Sequence, residues 1–182
     1  FVLYICGKHY RDKGILTNNT VVTTVMANLG LFKAMEREGI KVASTAVGDK
    51  YVYEEMCRAG DIVGGEQSGH IIFKQYETTG DGLVTALVIL GIMKETGKTV
   101  LELMQGLKIY PQLLVNVRVT DKQTVLNDEE IKEKIREVNE ELNGNGRLLV
   151  RPSGTEPLIR VMAEAETDEI CAAEVSKVAD IV

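Results

Sequence analysis

The sequence predicts an α/β unit followed by a smaller α+β unit. Three observations carry this. Up to about residue 107, β-branched runs alternate with apolar stripes at helical spacing, each pair punctuated by glycine. Beyond Pro111, one of only three prolines, the pattern changes to alternation with a period of two around one charged helix. The change falls between residues 107 and 112, which divides the chain into units 1–107 and 112–182.

Residues 1–12 carry apolar groups at 1, 2, 3, 5 and 6 and read as a helix stopped by Gly14. "TVVTTVM" (20–26) reads as a buried strand. In residues 28–39, Leu29, Phe32 and Met35 have helical spacing and Gly39 is the stop. "KVASTAV" (41–47) is a second strand, and 48–60 a helix with Asp49 near its start and Gly60 at its end. "DIVGGEQ" gives a short strand, and "HIIF" a returning one. "LVTALVILGIM" (83–93) stops at Lys94 and Glu95, too short to span a membrane, and reads as a buried helix. A shorter helix follows over 99–107. Together these imply a mostly parallel or mixed sheet with helices on its faces, and ligands in such sheets gather at the carboxyl ends of strands.

In the second unit, Leu113, Val115, Val117 and Val119 alternate along a half-exposed strand. Residues 127–146 form a charged helix, capped by Asn127 or Asp128, with Ile131, Ile135, Val138 and Leu142 as its stripe. "RLLVR" and "LIRVMAEA" are strands and the last fifteen residues a helix. The order is β-α-β-β-α, with an antiparallel-rich sheet covered on one face.

The 182 residues are 45% hydrophobic with a net charge of −6, which suits a protein with a real core and excludes a general nucleic-acid binder. Three scattered cysteines without CxxC spacing point to thiols in a reducing cytoplasm. No membrane span or signal peptide is visible. The chain opens without methionine and closes without a stop signal, as a piece of a longer protein would.

Two loops concentrate chemistry. "GGEQSGH" (64–70) follows a strand. Glu66 can accept a hydroxyl on each oxygen, Ser68 can donate or accept, and Gly64, Gly65 and Gly69 allow close backbone approach or positive φ. That is chemistry for a polyol such as a sugar ring; a solvated turn bonding its own backbone is the plainer alternative. His70 suits either a general acid or base or a backbone contact. "RPSGTEP" (151–157) places Arg151, Ser153, Gly154 and Thr155 just after a strand, a guanidinium fork with hydroxyls and amides for phosphate oxygens. The alternative is a capping box of Ser153 with Glu156, disfavoured because a strand follows. Arg160 either reaches this loop or faces water. A third turn, "TAVGDKYV", carries Asp49 as a helix-start carboxylate and Lys50 for phosphate or solvent. Asp81 reads as a cap. His9 and His70 lack zinc spacing with the cysteines, so no metal ligands are assigned.

"GGEQSGHIIF", "TAVGDKYV" and "RPSGTEPLIRVM", in this order, closely resemble the α-D-phosphohexomutase superfamily over essentially the whole chain. Glutamine in "EQSGH" favours the branch acting on glucosamine phosphates over those acting on mannose or glucose phosphates. The resemblance implies the third domain of four, an α/β sugar-recognition domain, and most of the fourth, a TATA-binding-protein-like domain. It implies Glu66, Ser68 and Lys50 for the sugar, Arg151, Ser153, Gly154 and Thr155 for the phosphate, and His70 as the catalytic candidate. The activity implied is interconversion of glucosamine 6-phosphate and glucosamine 1-phosphate in the cytoplasm. It passes through a phosphoserine and glucosamine 1,6-bisphosphate, with magnesium. The phosphoserine and metal loops would belong upstream of Phe1, in N-terminal domains of the same protein, so the chain alone would be inactive. A homodimer is compatible with the resemblance. The alternatives are a mutase of the mannose- or glucose-phosphate branches, or a non-catalytic sugar-phosphate binding module.

Overall fold

The structure, a computed structural model, describes residues 1–182. It contains two compact units, Phe1–Ile109 and Tyr110–Val182.

The first unit is built from α1 (Val2–Asp12), β1 (Thr20–Thr24), α2 (Leu29–Arg37), β2 (Lys41–Thr45), α3 (Asp49–Ala59), β3 (Val63–Gly65), β4 (Ile71–Phe73), α4 (Gly82–Thr96) and α5 (Val100–Leu103). The sheet has the order β2-β1-β3-β4, with β1 parallel to β2 and β3, and β4 antiparallel to β3. Successive strand residues face opposite sides. Val21, Val63, Ile71 and Phe73 pack against Leu3, Ile5, Leu31 and Met35 of α1 and α2. Val22 and Ile72 pack against Val52 and Met56 of α3. Strands β1, β3 and β4 are thus buried on both faces between helical layers, which is why β1 is apolar at both parities, while the edge strand β2 stays partly exposed.

Helix boundaries follow from caps. The Asn28 side chain accepts from the Gly30 amide, Asp81 accepts from the Leu83 and Val84 amides at 2.7 and 2.9 Å, and Gly60 ends α3 with φ 82°. Lys8, Arg11 and Tyr4 of α1 converge on Glu38, just past α2.

The expectation of a buried helix at 83–93 is corrected. In α4 only Ile92 is fully buried, while Leu83, Leu87 and Leu90 are 79%, 69% and 58% exposed. Val84, Val88 and Ile89 pack onto the core, and the leucines take the opposite face.

The second unit comprises β5 (Gln112–Arg118), α6 (Lys122–Asn127), α7 (Glu129–Leu142), β6 (Arg147–Pro152), β7 (Leu158–Glu164) and α8 (Asp168–Ala179). Its antiparallel sheet has the order β5-β7-β6. Ile159, Val161, Ala163 and Leu148 pack against Val138 and Leu142 of α7 and Cys171 and Val175 of α8. Leu113 and Leu114 remain 38% and 40% exposed. The charged helix is shorter than expected. Asp128 caps it by accepting from the Glu130 amide at 2.9 Å, and Asn143 closes it in the left-handed region with φ 43°. Helix α6 has too little apolar stripe to announce itself. It exists because Asp121 accepts from the Gln123 amide at 2.9 Å and the Thr124 hydroxyl at 2.6 Å. Those bonds, the hydroxyl first, lower the Asp121 carboxyl from its ordinary pKa.

Candidate functional site

In the first unit the chain runs from β1 out to β2 and returns past β1 to β3, so strand order reverses at β1. The crevice at the carboxyl ends of β1 and β3 is where such sheets take ligands. A cavity of about 310 Å³ opens there, lined by Thr23, Asn28, Glu66, Gln67 and Gly69 among others. A larger cleft, about 480 Å³, lies between the end of α1 and α4 with His9, Tyr76 and Leu87 in its wall. It holds none of the loop residues.

The 66–70 loop joins β3 to β4 and is closed by the Glu66 amide on the His70 carbonyl at 3.0 Å. The Glu66 side chain is only 13% exposed, and its Oε1 accepts from the Gly48 amide at 2.9 Å. That bond ties the turn after β2 to the loop after β3. Ser68 Oγ lies 2.9 Å from His70 Nδ1, and Glu66 Oε2 lies 3.9 Å from the same nitrogen. The structure therefore brings Glu66, Ser68 and His70 together. It does not bring Lys50 to them: its ammonium is paired with Glu54 at 3.8 Å and lies over the Tyr51 ring, along its own helix. Asp49 Oδ1 accepts from the Lys50 amide at the start of α3, and Asp81 is a cap.

The glycines divide differently from the sequence expectation. Gly64 and Gly65 lie within β3. A Cβ on Gly64 would sit 2.7 Å from Met56 Sδ and 3.0 Å from the Val22 carbonyl oxygen, and one on Gly65 would sit 2.6 Å from the His70 carbonyl oxygen. Both serve packing. Gly69 alone of the three has a positive φ, 99°.

The second loop joins β6 to β7. Arg151 and Arg160 are directly opposed across these strands. The Nε of each is buried and meets no acceptor within the chain. Burial, and then the facing Arg160, lowers the Arg151 guanidinium from its ordinary pKa. Ser153 is 2% exposed, and its hydroxyl accepts from the Glu156 amide at 3.3 Å and from Arg160 Nη2 at 3.4 Å. Half of a capping box is thus present although a strand follows. Glu156 turns its carboxylate to Arg160 at 3.4 Å. The Ser153 amide donates to the Leu158 carbonyl at 2.9 Å, while the amides of the exposed Gly154 and Thr155 have no acceptor in the chain. Guanidinium groups, a serine hydroxyl and free amides are the kinds of donor that suit a multiply charged oxyanion. Arg160, left open by the sequence, reaches this loop through the Ser153 hydroxyl and the Glu156 carboxylate. The signal lay in strand register, which needs the fold.

No group of three His, Cys, Asp or Glu side chains is placed to hold a metal ion. The chain's own residues do not form the magnesium site that the resemblance implies.

Residues 1–110 match phosphoglucomutase/phosphomannomutase alpha/beta/alpha domain III, and residues 114–181 match the phosphoglucomutase/phosphomannomutase C-terminal domain. The chain belongs to the phosphoglucomutase/phosphomannomutase family. Within it, the chain is 58% identical over 181 residues to the phosphoglucosamine mutase of Geobacillus kaustophilus and 56% identical to that of Bacillus subtilis. All of the chain is matched in each case, against 40% of the relative, so it spans about two fifths of the length of these curated relatives. Among solved structures, the N-acetylphosphoglucosamine mutase of Aspergillus fumigatus in complex with GlcNAc-6P and magnesium has a TM-score of 0.80. It is 22% identical, and the match covers 98% of this chain and 41% of that one. No helix of the structure is long and apolar enough to cross a membrane.

Proposed function

We propose that this chain is the substrate-holding part of a phosphoglucosamine mutase, which interconverts glucosamine 6-phosphate and glucosamine 1-phosphate. The observation that carries the reading is the opposed Arg151 and Arg160, whose buried Nε groups lack acceptors beside the free amides of Gly154 and Thr155. Two like charges facing each other across strands are unfavourable by themselves. Glu156 already faces Arg160 at 3.4 Å, and a phosphate dianion would supply the counter-charge that Arg151 lacks together with further acceptors.

In this reading Arg151, Arg160, Ser153, Gly154 and Thr155 grip the phosphate that is not reacting. Glu66 offers Oε2 to the ring hydroxyls, with Oε1 kept in place by the Gly48 amide, and Ser68 adds a further contact. His70, hydrogen-bonded through Nδ1 to Ser68, is the candidate to move a proton to or from the reacting hydroxyl. The phosphoryl group travels from a phosphoserine to the free hydroxyl of the sugar phosphate, giving glucosamine 1,6-bisphosphate. The bisphosphate then turns end for end and its other phosphoryl group returns to the serine. The anion loop must therefore hold either phosphate, which suits a nest that reads charge and tetrahedral geometry. The phosphoserine, the magnesium ligands and the remaining domains belong to the rest of such an enzyme, so this chain binds without turning over. The exposed leucines of α4 give those domains, or a homodimer, an apolar face. Dispersed free thiols fit a cytoplasmic setting.

The test is a mutase assay on the full-length protein carrying Arg151→Met or Ser153→Ala, beside titration of this chain with glucosamine 6-phosphate. A loss of binding and of kcat/KM is expected for Arg151→Met. Undiminished activity in both variants would refute the phosphate assignment.

A further inference from the structure

We infer that Lys122, at the first position of α6, is the positioning residue that aims the backbone of the 153–156 loop at its anion. The inference rests on reading that loop as a phosphate site.

The half-buried Lys122 ammonium donates to the Ser153 carbonyl at 2.8 Å and to the Glu156 carbonyl at 3.2 Å, the two ends of the loop. Its place is set by Asp121, which caps α6, and by β5, whose continuation runs beside the loop with the Val119 amide on the Pro157 carbonyl at 3.1 Å. The consequence follows from peptide geometry. In a trans peptide the C=O and the next N–H point in opposite directions. All peptides here are trans. With the Ser153 carbonyl turned to Lys122, the Gly154 N–H must point away from it. Glycine without side-chain restraint would otherwise let this peptide reorient cheaply. At the other end, the Glu156 carbonyl also accepts from the Leu158 amide at 2.9 Å, and Pro157 contributes no competing N–H. With two of its three donors used on carbonyls, Lys122 acts on the anion through the loop, unlike Arg151 and Arg160.

The experiment uses this chain, ¹⁵N relaxation of the Gly154 and Thr155 amides, and titration with inorganic phosphate. Lys122→Met keeps the aliphatic stem and removes the donor. The Gly154 order parameter should fall from about 0.85 to below about 0.6, and the phosphate Kd should rise about tenfold, as a misaimed, unfixed amide implies. Lys122→Arg, which can still donate to two carbonyls, should restore both. If Lys122→Met does not fold, Lys122→Gln, too short to span both carbonyls, carries the same test. An unchanged Gly154 order parameter overturns the inference, whatever happens to affinity. If the unaltered chain binds no phosphate and Arg151→Met changes nothing, the phosphate reading fails, while the order parameter still decides the role of Lys122.

Discussion

The two loops differ in how far their polar groups are satisfied from within. Around Glu66, the carboxylate already holds the Gly48 amide, and Ser68 already holds His70. Sugar hydroxyls arriving there would exchange hydrogen bonds of similar kind. Around Arg151, two guanidinium groups oppose each other with buried donors unmatched. Unpartnered buried donors and like charges both cost stability. The first loop is satisfied from within; the second carries a deficit that a bound anion would reduce. Binding should therefore stabilise the second unit more than the first.

The sharpest way to break this comparison is Arg151→Met. Loss of charge-assisted hydrogen bonds worth about 1.5–3 kcal/mol should weaken phosphate binding roughly 10–100-fold. The same change relieves the facing charge, so the ligand-free second unit should become more stable by up to about 1 kcal/mol. Calorimetric titration with phosphate and a urea midpoint read the two signs. A fall in both affinity and stability would show that Arg151 is a structural residue. On the other side, Gly64→Ala places a methyl against Met56 and the Val22 carbonyl, which should cost about 1–3 kcal/mol by overpacking. Gly64 packs within β3 of the first unit, so phosphate affinity should not move. Smaller still, Glu66→Ala removes one acceptor from the Gly48 amide and should cost about 1 kcal/mol, whereas Glu66→Gln keeps an acceptor and should cost less. Both should weaken sugar binding without changing affinity for inorganic phosphate.

How much of this was legible depends on what each feature needs in order to be seen. The alternation of strands and helices is local: β-branched runs at 20–26 and glycine stops at 39 and 60 announce their elements. The polar loops are equally visible, because residues 64–70 and 151–157 concentrate functional groups beside apolar runs. Position relative to distant chain is not visible. Hydropathy cannot distinguish a helix buried by its own sheet from α4, which is covered on one face and leaves Leu83 and Leu87 exposed. The letters "GG" serve ligand approach and close packing alike; only the neighbours of Gly64 and Gly65 show that packing needs them. Arg160 required strand register, and Lys122 required knowing that a six-residue helix without an apolar stripe returns to the anion loop.

Acid separates the units in a last, gentler way. The Glu38 carboxyl is held at about 2 by Lys8 first, then Arg11 and Tyr4, despite partial burial. In the unfolded chain a glutamate titrates near pKa ~4.3. Because the folded value is depressed, the stabilisation from this cluster is fully present above about pH 4.5 and is lost as pH falls through the interval down to about 2. The first unit should therefore show a urea midpoint that declines across that window. Lys8→Met raises the folded pKa of Glu38 and should flatten the decline while lowering the neutral-pH midpoint slightly. The second unit contains no part of this cluster, so its own midpoint, followed through the β7 amides, should not respond to Lys8→Met. A response there would mean that the acid sensitivity is shared by the whole chain, and that the contrast between a self-satisfied unit and an anion-dependent one is drawn in the wrong place.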